Sequence, residues 1–391
     1  MDGDLKVERD AIVYAEDKIV TVDGRVDIEG PVVFECSLQA SELESSDGDI
    51  DIRGDLNIRS EINVSDGSLH VSGSLSGTDV DVDRHLEVLG KLTATSLEVG
   101  SRIAVHGTLK AESIEVGGSL EASETADVDE VEVGGSVRIA KQVNIKAIDV
   151  GGSVVVGGGK VTEKIDVGGT FESTGPLEFD ELDVGGSVRL KGNCKGRRID
   201  VGGVFDVSGD LEFEEIDVGG TVDIEGSGAG EDIDVGGVLK VGGNLTLKGS
   251  LDVGGRCRID ELLTADRIDI GGSLEADAVK VNQLEIGGSI LTKKGVKASS
   301  ITISDRGRVR GPLVGEEIRV GEKADVEALY GKEIILEERS RATLIHGVDI
   351  RIESGCRILG EVLYSGSIEA DEDVTFTVTP KKVDSLPPEP A

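Results

Sequence analysis

One motif constrains this chain more than any other feature. An aliphatic residue, an acid, a second aliphatic and a pair of glycines recur as IEVGG at 114, VEVGG at 131 and IDVGG at 148 and 165. The series continues with LDVGG at 182, IDVGG at 199, 216 and 233, LDVGG at 251, IDIGG at 268 and LEIGG at 284. The pairs recur every 17 residues, with one interval of 18 and one of 16, and a half-copy, LEVG at 97–100, extends the array backwards by the same 17. Repeats of this length are units that bury their apolar faces only against their neighbours.

Each repeat carries a finer rhythm. From Val131 the apolar-x-apolar triplets are Val131–Val133, Val137–Ile139 and Val143–Ile145, spaced 6, 6 and 5. In an extended chain the outer two residues of a triplet share one face and the middle one points away. Three strands too short for a hairpin meander describe one triangular coil of a parallel β-helix. The glycine pair supplies a corner, where a positive φ or a close backbone approach is needed. Helical spacing is absent. The flanks keep the triplets without the glycines, among them Leu5–Val7, Val26–Ile28, Ile50–Ile52, Leu69–Val71, Ile301–Ile303, Ile318–Val320, Ile350–Ile352 and Phe376–Val378. The expectation is one continuous solenoid over 1–379, most regular at 97–290, with about 22 coils and a length on the order of 100 Å at the inter-strand spacing. A bulge, loop or break is expected near 36–48 and 325–348, and 380–391 is expected to be a disordered proline-containing tail.

Composition agrees with a long thin core. The chain is 38% hydrophobic but 2% aromatic, with 56 Gly and no Trp. Phe171 and Phe205 stand six residues into their repeats and Phe179 and Phe213 fourteen in, with smaller residues at those offsets in the coil between, as packing of a narrow core favours. Cys257 and Cys194 fall on the same core reading, and Cys36, Cys194, Cys257 and Cys356 form no C-x-x-C pair, so all four are expected to be buried small hydrophobes.

The formal net charge is −36, spread along the whole chain. Such a surface repels nucleic-acid phosphates and anionic lipid, so nucleic acid is excluded as a partner. The acid must be screened by strong salt or met by a basic partner. The outward middle residue of the glycine-paired triplet is acidic in twelve coils, from Glu98 through Asp149, Asp200 and Asp252 to Glu285. This column reads as a solvated face tolerated in strong salt, with a cation ladder or a docking strip as the alternative. The start of the chain has no secretory signal pattern and no apolar run approaches 18 residues, so a cytoplasmic location is expected.

Chemistry is hard to place on this pattern. The glycine pairs are followed by a strand rather than a helix, so they are not a phosphate loop. A 17-residue period is not the nonapeptide of calcium-binding β-rolls. His70, His85, His106 and His346 show no metal-ligand spacing, and no carboxylate pair stands out for acid–base work. No catalytic residue, metal or cofactor is expected. A hexapeptide acyltransferase would need a strict 6-6-6 rhythm, and a polysaccharide lyase long loops and aromatic platforms.

These features together resemble the bactofilins: 17-residue coils of three short strands, a Val/Ile-lined core, no helical cap and a short proline-containing tail. The resemblance is strongest over 97–290 and implies a right-handed triangular β-helix and a non-enzymatic, polymer-forming cytoskeletal scaffold. It further implies assembly of copies end to end without nucleotide, in support of cell shape, and the acidity points to a haloarchaeal member. This array is several times longer than a typical family domain, so a shorter bactofilin-like protein is a second expected partner. The residues expected at the polymer interface are Leu5, Val7 and Ile12 in the first coil and Val374, Phe376 and Val378 in the last, Phe376 foremost. The alternative function is a rigid spacer, adhesin or polysaccharide-binding surface protein.

Overall fold

Alternation of buried and exposed residues runs through the structure from near its start to residue 363. The structure is a computed structural model that describes Met1 and residues 3–390. Among these residues every regular element is a β-strand, and strands one turn apart pair in parallel. The chain forms a β-solenoid of about 22 turns, roughly 17 residues each, as the repeat predicts. It divides into two compact units, Met1–Lys195 and Gly196–Ala391.

In the first unit three walls surround the core. The first wall stacks Leu5–Val7, Arg25–Ile28, Glu42–Ser45, Glu61–Val64 and their successors. The second begins with Ile12–Val13, Val32–Phe34 and Ile50–Ile52. The third begins with Ile19–Thr21, Ser37–Ala40 and Leu56–Ile58. Pairing through 36–48 is regular, so the irregularity expected there is absent. Phe171 packs in register over Val188, large against small.

The glycine corner has a definite cause. A Cβ on Gly135 would lie 2.4 Å from the carbonyl oxygen of Gly118, and one on Gly152 2.3 Å from that of Gly135. Neither glycine has a positive φ. Close approach of the turn below therefore demands the pair, and left-handed backbone does not. Positive φ is used instead at Gly158 and Gly159 (+100° and +117°), where an irregular register adjoins the strand Gly159–Val167.

In the first unit third and first walls already run together in strands such as Leu109–Val116, and in the second unit the strands lengthen until second, third and first walls do so, as in Arg256–Ile270 and Ser273–Ile286. Beyond Gly288 the corner changes type. Arg306, Lys323, Arg339 and Gly355 adopt φ of 61°, 60°, 59° and 71° at successive turns, the left-handed conformation that closes a tight corner. Between Asp325–Leu336 and Arg341–Ile352 the register is unbroken. The break expected at 325–348 is therefore absent: the corner has already changed chemistry from Arg306 onward, and the walls run straight through. Pairing also passes the expected boundary at 379: Lys381–Lys382 pair with Leu363 and Tyr364. All four cysteines are free and buried, and desolvation pushes the Cys257 thiol up to about 12.

Candidate assembly surfaces

The first turn of the first unit presents the strands Leu5–Val7, Ile12–Val13 and Ile19–Thr21. Each pairs with the turn after it, and among the described residues no strand lies on the other side. Val7 is buried and Leu5 half-buried, in register with buried Val26 and Ile28. Ile12 is 54% exposed because it aligns with the outward Val33, whereas its neighbour Val13 aligns with the buried Phe34. On the third wall Val20 aligns with buried Leu38. The inward set of this edge is therefore Leu5, Val7, Val13 and Val20. Ile12 belongs to the outer wall. The sequence signal that separates them is the alternation carried back from Val32–Phe34, since "AIVY" alone permits either register.

The last turn of the second unit consists of Ile368–Ala370, Thr375–Phe376 and Lys381–Lys382. These pair with the turn before them. Phe376 stacks on fully buried Ile358 and is itself half-buried, and Val374 is half-buried as well. Ile368, which stacks on Ile350, joins them. Val378 lies past the strand and is 48% exposed. An edge of this kind offers unpaired backbone groups and a partly covered apolar centre, the two requirements for strand addition.

The acidic column forms as the repeat predicts. In the first unit Glu98, Glu115, Glu132, Asp149, Asp166 and Asp183 align in register, and Asp81 precedes them. In the second Asp200, Asp217, Asp234, Asp252, Asp269 and Glu285 do the same. Desolvation, then repulsion from Asp269 and Asp234, raises Asp252 above the usual carboxylate range. Lys164 relieves the first column, reaching Asp166 at 2.6 Å and Asp183 at 3.5 Å.

Two histidine environments were invisible in the sequence. On the second wall His70 and His106 both meet Glu87, at 3.2 and 3.4 Å, because residues 17 and 19 apart become neighbours across turns. His346 is 7% exposed; its Nε2 lies 3.0 Å from Glu361 and its ring sits edge-on to Tyr330. Among the described residues no group of three or more His, Cys, Asp or Glu could hold a metal ion. No helix is long and apolar enough to cross a membrane. Comparison with protein-family models, curated proteins and solved structures found no match.

Proposed function

We propose that this chain is a non-enzymatic, bactofilin-like scaffold whose copies add end to end without nucleotide. The observation that carries the reading is the pair of open parallel edges, one centred on Leu5, Val13 and Val20 and the other on Ile368, Val374 and Phe376. A stacked set of parallel edges is matched along its whole perimeter by another strand set of the same spacing, and a second copy supplies one. The negative surface opposes this association at low salt. With a Debye length of about 3 Å at 1 M salt against about 10 Å at 0.1 M, assembly is favoured at molar salt. A cytoplasmic, cytoskeletal role in cell shape and a shorter scaffold partner belong to the same proposal.

Negative-stain electron microscopy of purified protein at molar salt, without nucleotide, tests it. Wild type is expected to form filaments, and Phe376→Arg, which places a charge in the apolar centre of the edge, to abolish them. Discrete particles in both samples would remove self-assembly and leave a spacer.

A further inference from the structure

The third wall of the second unit changes character along its outer face. Outward positions Thr246, Lys280 and Lys297 are exposed, as a solvated wall should be. In register above Lys297 the column then becomes Val314, Tyr330, His346 and Leu363. Their inward neighbours Leu313, Leu329, Ile345 and Val362 fill the core, so the column points outward. Even so Val314, His346 and Leu363 are 7%, 7% and 8% exposed. A wall cannot bury its own outer face; another segment must lie on it.

That segment is the chain's own tail. Val383 donates its amide to the Tyr364 carbonyl at the last turn, and Glu389 meets Lys297 at 3.6 Å. From Lys381 back to Lys297 the column takes five steps, about 24 Å at the inter-strand spacing. The six residues from Val383 to Glu389 reach about 20 Å when extended, and the two long side chains close the remainder. The chain bends at Asp384 and Ser385, and only a tail extended beyond that bend, crossing Leu363, His346, Tyr330 and Val314, satisfies both anchors. Its sequence suits that path: Leu386 supplies an apolar side chain, half-buried here, and Pro387, Pro388 and Pro390 favour polyproline II and lack amide donors. A strap running across a wall has no strand to pair with, so their missing donors cost nothing.

We propose that this strip is a recognition groove for an extended Leu-Pro-Pro-Glu segment, filled by the chain's own tail and able to accept the same tail from a second copy. Recognition rests on an apolar floor with His346 sealed at its centre and on Lys297 as the counter-charge for the glutamate at the far end. Exchange of such a tail between copies needs no new contacts, the low-barrier logic of a swapped element. It would link copies side by side, and it does not rest on end-to-end assembly.

A labelled peptide of residues 383–390, titrated by fluorescence anisotropy onto full-length protein, tests this. The variant Leu386→Asp loosens the resident tail, so it is expected to bind the peptide saturably and at least tenfold more tightly than wild type does. Adding Val314→Asp to that variant should remove binding, and a peptide carrying Asp at the leucine position should not bind. Because Leu386 lies on the tail and Val314 points outward from the wall, neither substitution enters the core, and an unchanged sheet circular dichroism checks the fold independently. Binding to neither protein, equal binding to both, or binding that survives Val314→Asp would each overturn the proposal.

Discussion

Within the second unit, the turns around Gly255 and those around Arg339 build the same triangular cross-section with different corners. At Gly255 the carbonyl of Gly237 in the turn below would stand 2.3 Å from any Cβ, and φ is not positive. At Arg339 φ is 59°, and this type of corner leaves room for a side chain: at the equivalent Gly355 a Cβ would stand 3.8 Å from the nearest backbone atom of the adjacent turn. One corner is glycine for want of space, the other left-handed whatever residue fills it. Loss of a glycine motif can therefore mark a change of turn with the wall unchanged.

The comparison is broken most strongly at the crowded corner. Gly255→Val should lower stability by about 3 kcal/mol, because the neighbouring atom is backbone and cannot give way; a lowered urea midpoint would show it. At the left-handed corner Gly355→Ala should lose only about 1–2 kcal/mol, the conformational penalty of a side chain at positive φ. The nearest atom there is the flexible Arg339 Cγ at 3.1 Å, which can move. If the two variants lose the same amount, the distinction between corners fails.

Arg339→Gly reverses the sign. Relief of the left-handed strain outweighs the added freedom of the unfolded chain, so the variant should gain up to about 1 kcal/mol, seen as a higher melting temperature. The smallest effect concerns the acidic column. Asp252 has its pKa raised in the folded state, so its charged form opposes folding above that pKa, and the penalty disappears as pH falls below the unfolded value of about 3.9. Asp252→Asn should stabilise by a few tenths of a kcal/mol near neutral pH in dilute salt. The gain should vanish at pH 3 and shrink at 1 M salt. A gain that persists in acid would assign it to packing instead.

The period, the three-strand coil and the acidic column were legible in the sequence because each depends on spacing that stacking preserves. Alternation within "IDV" fixes which side chains face inward, and the 17-residue interval aligns Asp200 with Asp217 without further information. What the sequence could not yield depends on contacts across turns or on chain return. Ile12 and Val13 are both aliphatic, and only the register against Phe34 separates wall from core. Loss of the glycine pairs after Gly288 hid four left-handed corners, at Arg306, Lys323, Arg339 and Gly355, that different residue types occupy. The tail looked disordered because its proline content excludes strand and helix, yet the apolar column that receives it is 16 or 17 residues apart in period, a spacing no local pattern exposes.

The central claim is that the two open edges join copies of this chain, and single-edge variants test it most directly. Sedimentation velocity at molar salt should show wild type as a broad, fast-moving polymer, with Val13→Arg and Phe376→Arg each arrested at particles of no more than two copies. Mixing the two arrested variants should give a two-copy species if the edges join head to tail. Wild type sedimenting as a single discrete species, or either variant still forming long polymers, would contradict the account.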